Sequence, residues 1–219
     1  MKFEKSTTMS TKRIIVSLLI YLLIPVIRLL LYRLTNNMTL SGMFALNVGA
    51  WLLVMYDWEL FGLHWNRAKA NLGDTILYTV IGMVFFFFWT LINATYLHGA
   101  MILPEQSVMH AYPIAIPAIL FAFSFSLSIV INITFKCITD RFKVHAREGA
   151  MILLSGFLFG LIYTLTLPPI TLTTILPTYL YNMITVTVLS YLYNQTHSFL
   201  PGMTALALVL LLWQIVFIL

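Results

Sequence analysis

The chain has 219 residues, 61% of them hydrophobic and only 9% charged. A soluble domain carries about 25% charged residues, so this composition excludes a water-soluble globule and leaves an integral membrane protein whose length suits one bundle. The net charge of +5 comes without a basic stripe or an aromatic stacking face, which excludes nucleic acid as a partner.

A helix needs about 20 apolar residues to cross a bilayer core. Seven segments answer that description in chain order: 14–32, 40–56, 76–97, 112–135, 150–165, 170–193 and 203–219. The second and fifth are the shortest. The predicted fold is therefore all-α, a polytopic transmembrane helical bundle of about seven spans, forming one transmembrane domain over 1–219. The first segment follows a basic leader (Lys2, Lys5, Lys12, Arg13), as a signal peptide would. Its apolar run continues past Pro25 to Tyr32 without an Ala-x-Ala-like site, so it reads as a retained anchor with 1–13 as a cytoplasmic leader.

Lysine and arginine placement sets the orientation. With the N-terminus inside, the inner segments hold Lys2, Lys5, Lys12, Arg13, Arg67, Lys69, Lys136, Arg141, Lys143 and Arg147, and the outer ones only Arg28 and Arg33. That bias also places the C-terminus outside. Tyr56, Trp58, Trp65, Tyr191 and Tyr193 fall where interfacial belts are expected. The run Phe85 to Trp89 covers all sides of its helix and reads as lipid-facing and packing bulk. The hydrophilic stretches, of which 57–74 is one, read as loops too short for a soluble domain.

Ionisable residues at membrane depth default to functional hypotheses. Glu4, Asp57, Glu59, Asp74, Glu105, Asp140 and Glu148 all fall in loops or at span ends. Arg28 is the exception, and lies close enough to the outer end of its span to snorkel; a role in holding an anionic headgroup or substrate is the alternative. His64, His98, His110, His145 and His197 lie outside the apolar runs and read as solvated loop residues. His98, Glu105 and His110 share a loop but have no metal-ligand spacing, so no metal and no cofactor is expected. Cys137 is the only cysteine, which rules out an internal disulfide.

The polar residues within the spans are uncharged and suit interhelical hydrogen bonds. Ser126, Asn132, Tyr163 and Asn182 are the candidates for a small polar cavity. Gly156 and Gly160 form a G-x-x-x-G that predicts a close helix crossing. Pro113, Pro117 and Pro177 predict kinks, which favour a cavity in the C-terminal half. Pro168-Pro169 must separate two spans.

Three stretches carry a resemblance. They are Phe-Lys-Cys-Ile-Thr-Asp-Arg-Phe at 135–142, Ala-Met-Ile-Leu-Leu-Ser-Gly-Phe-Leu-Phe-Gly-Leu at 150–161, and Leu-Ser-Tyr-Leu-Tyr-Asn-Gln-Thr-His-Ser-Phe-Leu-Pro-Gly-Met at 189–203. In order and spacing the C-terminal half resembles the CPBP family, the CAAX proteases and bacteriocin-processing or bacteriocin-immunity membrane proteins. The resemblance implies a CPBP-like helical core over 112–219. Family enzymes use Glu-Glu-x-x-x-Arg, Phe-x-x-x-His and His-x-x-x-Asn to activate water. Here the paired acids fall at Ser126 and Leu127, the arginine at Ile131, the first histidine at Tyr163 and the last pair at Leu206 and Leu210. General acid–base hydrolysis needs a titratable group within hydrogen-bond reach of the water, and a phenol of ordinary pKa about 10 is a poor base.

The resemblance thus implies a non-catalytic member, in a bacterial plasma membrane, that binds or regulates a membrane protein or peptide, as in bacteriocin immunity, and is a possible oligomer. Two alternatives stay open. One is a divergent intramembrane protease using Glu105, Asp140 or Glu148. The other is a transporter component for a small neutral solute, since proton or sodium coupling needs intramembrane carboxylates.

Overall fold

The structure, a computed structural model, describes residues 10–101, 116–142, 148–166 and 171–217. Glu105, His110, His145, Pro113 and the Pro168-Pro169 pair lie outside them, as do the side chains of Lys136, Cys137 and Asp140.

The described residues are all-α. The helices are α1 (Thr11–Thr35), α2 (Met38–Tyr56), α3 (Trp58–Ala70), α4 (Leu72–Ile92, continued by a π-helical turn Asn93–Leu97), α5 (Ile116–Phe142), α6 (Glu148–Thr166), α7 (Ile175–Thr196) and α8 (Leu200–Phe217). Four are long and apolar enough to cross a membrane, and a fifth span results if the bent α2–α3 pair counts as one. Several membrane-compatible helices are therefore present. Each of the seven predicted segments matches one helix, and α3 is additional.

Local chemistry sets the helix ends. The Ser10 hydroxyl accepts from the Arg13 amide at 3.3 Å, and the Asn37 side chain accepts from the Leu40 amide at 2.9 Å, each satisfying an orphan donor of a first turn. Between them Asn36 closes α1 in the left-handed region at φ 52°, a conformation asparagine tolerates. Pro177 does not kink α7. It lies in the first turn of that helix, where the missing amide has no intrahelical partner to lose. Pro117 sits likewise in the first turn of α5.

Stretch 57–74 is not a loop. Leu60, His64 and Ala68 are buried at a spacing of one turn, which makes α3 an amphipathic helix. It turns 92° from α2 and keeps Trp58 and Trp65 exposed. At the break Asp57 is buried. The Ser17 hydroxyl donates to its Oδ2 at 3.0 Å, and the Arg13 Nε lies 3.7 Å from its Oδ1. The same guanidinium donates to Glu59 at 3.0 Å, so one arginine ties α1 to both sides of the bend.

The helices pair through small residues. Gly49 admits Ile24 between α1 and α2; a Cβ on it would lie 2.5 Å from the Ile24 Cγ1. Gly82 of α4 faces Ala205 of α8 in the same way. One contiguous core runs through α1, α2, α5, α7 and α8, with Leu53, Ile129, Leu189, Leu192 and Val209 fully enclosed. Large apolar side chains cover the outside of α1 and α4, among them Leu22, Leu29, Val84 and Phe88, as a lipid-facing surface requires. Within the aromatic run, Phe86 is buried while Phe85 and Phe88 are exposed. The Trp89 indole donates to the Tyr181 carbonyl at 3.2 Å.

Candidate functional site

Two small cavities adjoin in the interior and share Leu127 of α5 and Tyr163 of α6 as common walls. The first lies between α1, α2, α5 and α6 and is closed by Tyr21, Ile24, Leu46 and Ile131. The second lies between α5, α6, α7 and α8 and is closed by Tyr181, Asn182, Leu206 and Leu210. Each encloses about 20 Å³, room for a single water.

Tyr163 and Asn182 meet at the second cavity. The Asn182 amide donates to the Thr164 hydroxyl at 3.0 Å, and that hydroxyl donates to the Gly160 carbonyl at 2.8 Å. Ser126 lines neither cavity; its hydroxyl donates to the Asn47 side chain of α2 at 2.8 Å. Asn132 also lines neither. It is buried, and both side-chain amide atoms lack a partner. Ser128 and Ser124, one and two turns earlier on α5, are buried with unpartnered hydroxyls as well.

Gly156 and Gly160 form the contact between α6 and α7. A Cβ at Gly156 would run into the Thr187 hydroxyl, and one at Gly160 would sit 2.5 Å from the Met183 Cα. That separation is possible only for a residue without a side chain, as the G-x-x-x-G spacing predicts. Next to this contact the Ser155 hydroxyl donates to that of Ser190 at 3.0 Å.

The sequence reading missed a polar latch. His64 is buried rather than solvated. Its Nδ1 lies 2.7 Å from the His197 carbonyl, which can only accept, so Nδ1 carries the proton. Nε2 then accepts from the Tyr193 hydroxyl at 3.3 Å. The Ser198 hydroxyl donates back to the His64 carbonyl at 3.1 Å, and Phe61 stacks on Phe199 at 5.2 Å. These contacts fasten α3 to the α7–α8 turn. The signal was the spacing of His64 with Leu60 and Ala68, which puts all three on one helix face.

Chemically the cavities are poor in reactive groups. Among the residues that line them, Tyr21, Tyr163 and Tyr181 carry the only ionisable side chains, all phenols. Among the described residues no three His, Cys, Asp or Glu side chains gather where a metal ion could sit. No protein-family model, curated protein or solved structure matches this chain.

Proposed function

We propose that this chain is a non-catalytic, multi-pass membrane protein of the CPBP type that acts by binding a membrane protein or peptide. One observation carries the reading. The resemblance alone picks out Ser126, Leu127, Ile131, Tyr163, Leu206 and Leu210 as the positions of the family's catalytic side chains. All of these except Ser126 line the two adjoining cavities, although they come from α5, α6 and α8. A fortuitous match of three short stretches gives no reason for such convergence.

Leucine, isoleucine and tyrosine stand at the acid, arginine and histidine positions there, so water meets no general base of suitable pKa. The space holds one water and no peptide. A partner therefore engages the lipid-facing surface, in a role of the bacteriocin-immunity or regulatory kind. We read α1, α2 and α4 to α8 as seven spans with the N-terminus inside a bacterial plasma membrane. In that arrangement α3, with Trp58, Trp65, Arg67 and Lys69, lies along the cytoplasmic surface.

Photo-crosslinking in the native membrane tests this. Benzoylphenylalanine placed at Leu22, Trp51 or Phe88, all exposed, should give one discrete protein adduct from at least one face, retained after extraction in mild detergent. Lipid adducts alone from all three positions, with a monodisperse monomer after extraction, would contradict a partner-binding role.

A further inference from the structure

Arg28 belongs to the membrane-compatible helix α1, about 10 Å along the axis from its end at Thr35. It does not snorkel into the open. Only 5% of it is exposed, and its Nε and Nη2 have no hydrogen-bond partner. Those two nitrogens form one edge of the guanidinium, the parallel fork that matches two oxygens of a carboxylate or phosphate. Arginine does not shed its proton in a protein, so the charge stays and asks for an anion.

The acids whose side chains are described are placed elsewhere. Asp57 and Glu59 engage Arg13, Glu148 accepts from Asn194, and Asp74 is exposed in the first turn of α4. Ile24, one turn before Arg28, lines the first cavity together with Ile131 of α5. The residue after Ile131 is Asn132, 2% exposed and with both amide atoms unpartnered. Arg28 and Asn132 are both buried and unsatisfied, and neither lines that cavity. A buried charge without a partner is held for a ligand or costs stability.

We propose that Arg28 holds a phosphoryl oxyanion in a bidentate contact. The ligand is a lipid headgroup phosphate reaching in from the bilayer boundary or a free phosphate-bearing anion. Both present the same oxygens to the fork.

The test uses the whole protein, stripped of lipid by detergent exchange. Its melting temperature is followed on addition of dihexanoyl phosphatidylglycerol, dihexanoyl phosphatidylcholine or inorganic phosphate. A rise of several degrees is expected with at least one probe, lost in Arg28→Gln and cut by half or more in Arg28→Lys. The lysine variant keeps the charge but not the fork, so it reports even if Arg28→Gln does not fold. A rise with lipid alone assigns the headgroup, and a rise with inorganic phosphate assigns a free anion; either supports the site. No rise with any probe overturns it, as does an equal rise in the wild type and Arg28→Lys. It is also overturned if Glu105→Gln lowers the melting temperature as Arg28→Gln does and the double variant loses nothing more, because the counter-ion then belongs to the chain itself.

Discussion

Gly160→Ala should lower stability by about 2 kcal/mol or more, and Gly160→Leu should prevent recovery of folded protein. The new Cβ would sit 2.5 Å from the Met183 Cα and 2.8 Å from its backbone nitrogen. Backbone cannot rotate aside as a side chain can, so α6 and α7 must separate. That parting would also strain the Asn182–Thr164 and Ser155–Ser190 hydrogen bonds that stitch the same pair. Gly62→Ala and Gly149→Ala are the controls. Nothing lies within 4 Å of a Cβ at either position, and glycine in a helix is worse than alanine by about 0.5–1 kcal/mol, so these two should be neutral or slightly stabilising. Unfolding in detergent micelles, followed by circular dichroism, reads all four. Equal losses at Gly62, Gly149 and Gly160 would remove the close crossing as the cause.

Leu127→Glu should cost at least about 3 kcal/mol. Leu127 is 3% exposed and walls both cavities. No arginine or histidine lines either cavity to meet a carboxylate there. Taking even the neutral acid out of water costs about 1–3 kcal/mol where it gains no hydrogen bond. Leu127→Met, which keeps volume and polarity, should cost less than about 1.5 kcal/mol. Melting temperatures in one detergent compare the pair. A Leu127→Glu protein as stable as Leu127→Met would mean that the site is wet and open rather than sealed.

Much of this architecture is legible in the amino-acid order, because a bilayer leaves the chain few choices. Seven apolar segments match α1, α2 and α4 to α8, since any apolar run of that length must close its own backbone hydrogen bonds. The α6–α7 crossing is legible for a similar reason: two glycines one turn apart leave a flat strip that a neighbouring helix fills. The meeting of Leu127, Tyr163, Leu206 and Leu210 around one cavity is not legible locally, because no local rule links residues so far apart.

The differences lie where polar residues fold inward. Trp58 to Ala70 carries charges on one face, and a hydropathy reading averages that face with the buried stripe Leu60, His64 and Ala68. Its helical period is visible only when the residues are counted in turns. His64 reads as a solvated residue because a histidine outside an apolar run usually is; its partners His197, Tyr193 and Ser198 lie more than a hundred residues on. Arg28 reads as snorkelling because its distance from the helix end permits it. Distance along a helix does not say which way the face turns, and α1 turns this one into the bundle. Of the four residues expected around one polar cavity, the pair Tyr163 and Asn182 shares one, whereas Ser126 bonds Asn47 instead. Alternation along α5 decides this: Ser126 and Leu127 are 100° apart, so the residue that faces α2 cannot also face the cavity.

A double-mutant cycle between Leu127→Ala on α5 and Leu206→Ala on α8 tests most directly whether these two positions share one cavity, as the proposed function requires. Unfolding free energies of the wild type, the two single variants and the double variant are measured in the same detergent. Both leucines wall a cavity of about 20 Å³, so removing one changes the surroundings of the other. A coupling of about 0.5–3 kcal/mol is expected. Losses that add to within about 0.3 kcal/mol would place the two residues in separate surroundings and contradict the convergence on which the proposed function rests.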